Sequence, residues 1–137
     1  MADYYTQFSC ALDVDTVENA LLAYELFTKE PDTDEERSWT SGFDLNLDPE
    51  AGSSCLFMDD GGAGDVEALI AFILRCAADF DLKGLWGFEY ANTCSKARLD
   101  GFGGGAHVID LGKRETVSWL STFEWLSHAL HGENDDA

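Results

Sequence analysis

The stretch from Trp86 to Leu111 constrains the fold more than any other part of the chain. It reads as a strand, a long glycine-rich loop and a second strand. Trp86, Phe88 and Tyr90 alternate with Gly87, Glu89 and Ala91, which puts three aromatic rings on one face. The return strand is expected from Ala106 to Leu111. Between the two lie Asn92, Thr93, Cys94, Lys96, Arg98 and Asp100, with His107 just beyond the glycines. No other stretch mixes so many kinds of polar side chain.

The flanking segments supply the rest of a sheet. Residues 7–14 alternate, with Phe8, Cys10, Leu12 and Val14 on one face. Asp15 and Glu18 have the spacing of a capping box. They open a helix to about Lys29 with a buried stripe of Val17, Ala20, Leu21, Tyr24 and Phe27, which Pro31 stops. An acidic loop, 31–41, leads to the strand 43–48. There Phe43, Leu45 and Leu47 face inward and Asp44, Asn46 and Asp48 outward. Ser54 to Met58 is nearly all apolar and reads as a central strand. The spacing of Val66, Leu69, Ile70, Ile73, Ala77 and Phe80 predicts a helix from about Asp65 to Asp79. A last strand, 115–120, and a short helix follow; the helix is opened by Ser121 and Glu124 and closed near Gly132, before a frayed tail from 131. The expected architecture is α+β. It is an antiparallel sheet of five to six strands with helices on one face, its first six elements ferredoxin-like, plus a C-terminal hairpin and helix in one domain.

Charge narrows the function. Of 137 residues, 27 are Asp or Glu and 8 are Lys or Arg, for a net charge of −19. Residues 1–60 hold fifteen acids and two bases, whereas five of the eight bases fall between 83 and 114. Such a chain repels nucleic acid and anionic membranes and attracts basic proteins. An apolar content of 45% argues against disorder. No apolar run reaches the roughly 18–20 residues of a membrane span. The opening residues lack a secretory signal pattern, and four cysteines outside any Cys-x-x-Cys pair suit reduced thiols, so a cytoplasmic protein is expected.

Several groups invite chemical readings. Cys94 and His107, with Asp100, Asp110 or Asn92 as orienter, hold the residue types of a thiol nucleophile, although no known nucleophile signature surrounds Cys94. The plain alternative is a loop cysteine beside a strand-end histidine, and that is the reading adopted. Gly101 to Gly105 suits either an anion nest or a wide turn. The turn is favoured, because phosphate loops run into a helix and this one runs into a strand. Asp44, Asn46, Asp48 and Glu50, and Asp59, Asp60 and Asp65, offer oxygen ligands without the EF-hand pattern. His128 and His131 share a helix face without a third ligand. No metal and no cofactor are expected. Trp39 lies in a polar loop, where it either anchors an interface or folds back onto the sheet.

The motifs Trp86-Gly-Phe, Asn92-Thr-Cys-Ser, Arg98-Leu-Asp-Gly-Phe-Gly-Gly-Gly-Ala-His and Val108-Ile-Asp-Leu resemble, in that order, an uncharacterised family of small acidic proteobacterial and phage proteins. The resemblance extends from Phe8-Ser-Cys to Trp125-Leu and implies no activity. By charge alone, the chain is similar to phage inhibitors of restriction or CRISPR systems that imitate DNA. The expected function is therefore a non-enzymatic interaction protein that occludes a basic nucleic-acid-binding partner. Its contact residues would be Asp32, Asp34, Glu35, Glu36, Trp39, Asp44, Asp48, Glu50, Asp59 and Asp60. One alternative is an immunity-type protein neutralising a basic toxin. Another is a small thiol enzyme using Cys94 and His107.

Overall fold

The computed structural model describes residues 4–29, 39–47, 53–62, 64–95 and 102–132. In chain order the elements are β1 (Tyr4–Asp13), α1 (Val17–Thr28), a 3-10 turn (Trp39–Ser41), β2 (Asp44–Leu47), β3 (Cys55–Asp59), α2 (Val66–Asp79), β4 (Leu85–Cys94), β5 (Gly103–Asp110), β6 (Glu115–Ser121) and α3 (Thr122–Leu130). The six strands form one antiparallel sheet in the order β2-β3-β1-β4-β5-β6. The first four strands in that order make a ferredoxin-like sheet, and the β5–β6 hairpin extends it past β4. The α+β class is as the sequence predicts.

Strand alternation decides which face is covered. Phe8 and Leu12 of β1, Leu56 and Met58 of β3, and Leu45 of β2 are buried together with Ala20, Ala23 and Phe27 of α1 and Leu69, Phe72, Ile73 and Cys76 of α2. At the centre the ring of Phe72 meets Phe27 at 5.9 Å, Trp39 at 5.3 Å and Phe43 at 5.5 Å. The aromatic row continues across the sheet through Phe8, Phe88 and His107.

Four sequence expectations are corrected. The α1 cap is Thr16, whose hydroxyl accepts from the Asn19 amide at 3.0 Å. Asp15 instead makes the turn before it, with φ of 78° and its amide donated to the Asp13 carboxylate. The buried stripe of α1 is Ala20, Ala23 and Phe27, so Val17, Leu21 and Tyr24 are exposed; the helix is apolar on two sides and the sheet takes the small-residue side. Phe57 of β3 is exposed although its strand is an unbroken apolar run, because that strand has only one covered face. Gly103, Gly104 and Gly105 belong to β5 and not to a loop, pairing with Asn92, Ala91 and Tyr90 of a β4 that runs on to Cys94. As the sequence predicts, β3 is an inner strand, paired with β2 on one side and β1 on the other.

No described helix is long and apolar enough to cross a membrane.

Candidate functional site

The face of the sheet opposite α1 and α2 carries the outward residues of every strand. At its β2 end Asp44 stands directly opposite Asp59 across the ladder, and Asp59 is in turn opposite Ser9 of β1. Further along, Ser9, Ala11, Gly87, Ala106 and Glu89 border a shallow hollow of about 450 Å³. Small side chains make the floor, with Glu89 at its border, while Asp59 and Asp44 continue the same row of the sheet beyond Ser9. Adjacent strands lie about 4.8 Å apart, which sets the spacing of acids across the face. Like charges placed directly opposite cost a sheet about 0.2–1 kcal/mol. The ion pairs of Arg75 with Asp79 and of Lys83 with Asp81 lie elsewhere, so no described base neutralises Asp44 or Asp59. Phe57, 42% exposed, lies on the same face opposite Asn46 and beside this acid pair. Its alternation with Leu56 and Met58 was the available sequence signal, hidden by the apolar run.

The acids are not equivalent. One Asp60 oxygen accepts the Phe8 amide at 3.2 Å and the other the Gly62 amide at 3.2 Å, while Asp59 accepts the Gly61 amide at 2.9 Å. Asp60 is thus a bracket between the β3–α2 turn and β1. Asp13 holds the Ser54 hydroxyl at 2.7 Å and the Asp15 amide at 2.9 Å. Those two hydrogen bonds, the hydroxyl's first, pull its carboxyl below the usual range. Asp32, Asp34, Glu35, Glu36, Asp48 and Glu50 lie outside the described residues. Trp39 is half-buried with its ring against Phe72, so of the two sequence readings it folds back onto the core. Among the described residues no cluster of three His, Cys, Asp or Glu is arranged to hold a metal ion.

The register takes the Cys94–His107 pair apart. His107 lies opposite Phe88, and Cys94 is six residues further along β4, opposite Tyr4. Six residues of strand span about 20 Å. His107 instead shares a hydrogen bond of 2.8 Å with the Thr116 hydroxyl and stacks on Phe88; burial pushes its pKa down. Asn92 receives the Thr6 hydroxyl and Asp110 the Lys113 amide, so neither orients the imidazole. Asp100 lies outside the described residues.

On the helix side, a cleft of about 690 Å³ opens between the first turn of α2 and the β4–β5–β6 part of the sheet. Its wall includes Tyr90, His107 and Trp119 from the sheet, and Glu67 and Ile70 from α2. Asp65, the α2 N-cap, accepts the Ala68 amide at 3.0 Å beside it. The Trp119 indole donates to the Tyr90 hydroxyl at 3.1 Å, which fixes both rings. Among the described residues no Lys or Arg lines this cleft, and Glu67 gives its wall a carboxylate. Gly103, Gly104 and Gly105 are ladder residues paired with Asn92, Ala91 and Tyr90, and Gly101 lies outside the described residues. Sequence reading missed the cleft because it joins residues from separate strands and from α2 that only the register brings together.

Comparison with known proteins found no matching family model, no matching curated protein and no matching solved structure.

Proposed function

We propose that this chain is a non-enzymatic acidic interaction protein that occludes the nucleic-acid groove of a basic partner, of the anti-restriction or anti-CRISPR kind, in the cytoplasm. The observation that carries the reading is the Asp44–Asp59 pair on the sheet face opposite α1 and α2. Two carboxylates held opposite each other without a described base cost stability, and a guanidinium or ammonium group from a partner converts that cost into attraction. A rigid sheet fixes the spacing before contact, so little side-chain freedom is lost on binding. Glu89 across the hollow continues the negative surface, and Phe57 supplies an aromatic contact of the kind that anchors interfaces. An immunity protein against a basic toxin would use the same face, and the identity of the inhibited partner separates the two.

The test is binding to purified restriction and CRISPR effector nucleases as a function of salt. Affinity for the true partner should fall steeply as salt is raised, because exposed charges are screened over about 10 Å at 0.1 M and about 3 Å at 1 M. Affinity that is unchanged at 1 M salt would remove the electrostatic mechanism.

A second reading rests on the cleft. The Tyr90 and Trp119 rings and the Glu67 carboxylate, with no described base among the lining residues, suit a small organic cation. Titration with argininamide should shift the Trp119 indole N–H resonance, and Glu67→Gln should weaken the effect. An unmoved resonance would dismiss this reading and leave the first one standing.

A further inference from the structure

We infer that the β6–α3 surface is where two copies of this chain meet. Every β6 residue from Glu115 to Leu120 is exposed, and α3 has no buried residue at all. A nine-residue helix is below the roughly 12–15 residues at which helices become even marginally stable alone, so α3 needs a packing surface beyond β5 and β6. Its caps are good: the Ser121 hydroxyl accepts from Glu124, and Gly132 follows the helix with φ of 71°. Caps do not replace a buried face.

The exposed side chains are the wrong kind for water. Val117, Trp119 and Leu120 of β6 are 55%, 66% and 47% exposed. On α3, Phe123, Trp125, Leu126 and Leu130 are 64%, 51%, 51% and 76% exposed. An aromatic buries about 150–250 Å² in full, so each of these three leaves on the order of 100 Å² open. The four aliphatic side chains add on the order of 200 Å², taking about 60–120 Å² for full burial of each. The total, roughly 500 Å², wraps the β6 edge, with Trp119 on the His107 face and Leu120 on the Ala106 face, and compares with what a standard interface needs. About 800 Å² per partner, a little under two-thirds of it apolar, gives the same figure.

Charge selects the occupant. Residues 115–131 contain two carboxylates, Glu115 at the start of β6 and Glu124, and no Lys or Arg, in a chain of net charge −19. A basic partner has almost nothing to hold there. Two copies, by contrast, repel each other wherever acids face outward and meet with least repulsion on this patch. β6 is also an edge strand that pairs only with β5 among the described residues. Antiparallel pairing of two such edges about a two-fold axis satisfies both at once, since the same patch serves on each side.

The test is sedimentation equilibrium of the purified full-length chain over a range of concentration and salt. The expected mass is twice 15.1 kDa, with association strengthening as salt rises, because screening relieves repulsion between the copies. This sign is opposite to that expected for the acidic face, so failure of either reading is seen separately. Phe123→Glu and Trp125→Glu should each give a monomer. Leu130→Glu, at the end of α3, should do the same and tolerates misfolding least as an explanation. Leu21→Glu, on the exposed side of α1, should leave the dimer intact. A wild-type chain of 15.1 kDa at every concentration, a dimer untouched by all three α3 changes, or one that Leu21→Glu dissociates would overturn the inference. A chain that is monomeric alone and loses another protein on Phe123→Glu would overturn it too, in favour of a different apolar partner.

Discussion

Tyr90 stands opposite Gly105 in the β4–β5 ladder, and its ring lies across the glycine. A Cβ at Gly105 would come 2.7 Å from the Tyr90 hydroxyl oxygen and close against the Leu120 carbonyl. The absence of a side chain there lets β5 accept the ring and lets Trp119 reach its hydroxyl. Gly105→Ala should therefore destabilise the fold by about 1–3 kcal/mol, the usual cost of overpacking. Urea denaturation followed by far-ultraviolet circular dichroism measures it. An unchanged midpoint would mean the ring does not occupy this position.

Asp60 and Asp44 should respond in opposite ways. Asp60→Ala removes the acceptor of the Phe8 and Gly62 amides, at a cost of about 1–3 kcal/mol for donors left without their partner. Asp44→Ala relieves the repulsion with Asp59 and should leave stability unchanged or raise it by up to about 1 kcal/mol. Paired denaturation curves check the contrast. Equal losses would contradict the division between a bracket and a contact residue.

His107 makes stability depend on pH in a defined direction. Its folded-state pKa lies below the ordinary histidine value of about 6.5, because burial disfavours the charged ring. The unfolded chain then binds the proton first as pH falls. Above about 6.5 the group contributes nothing to the pH dependence. Below that value stability should decline until the folded-state pKa is reached, then level off. His107→Gln should remove this part of the acid-side decline in a melting-temperature profile. A histidine-linked gain in stability on acidification would show that the imidazolium is favoured in the folded state.

The thiols should behave as buried hydrophobic groups. Burial, with a further push from Asp79, raises Cys76 to about 12, and burial with Asp59 raises Cys10 to about 11. Neither forms an appreciable thiolate at neutral pH, so iodoacetamide should label Cys76 only as fast as the chain unfolds. Cys94→Ser should leave binding unaltered. Rapid labelling of Cys94 that His107→Ala suppresses would restore a thiol–imidazole pair against the register.

Much of the fold was legible because its signals are local. The alternation in Phe43–Leu47 and Trp86–Tyr90 fixes which residues face the core, and Ser121 and Glu124 mark the start of α3. What was not legible depends on contacts between distant segments. The glycines of β5 look like a loop until Tyr90 is placed opposite Gly105. Phe57 looks buried until β3 is known to have one covered face. For the site, Asp44 and Asn46 were correctly placed on the outward side of their strand. The Asp44–Asp59 adjacency and the bracket role of Asp60 needed the register of β2, β3 and β1. Cys94 and His107 are close in sequence class but separated by the strand length of β4.

On the proposed function, the acidic sheet face competes with nucleic acid for a basic groove. The most direct measurement is DNA cleavage by a bound nuclease, titrated with the wild-type chain and with the double variant Asp44→Lys, Glu89→Lys after circular dichroism shows it folded. The account predicts that wild type inhibits, that added DNA relieves the inhibition competitively, and that the double variant loses at least tenfold in potency, about 1.4 kcal/mol. Inhibition by the double variant at wild-type potency, or inhibition that excess DNA leaves untouched, would contradict it.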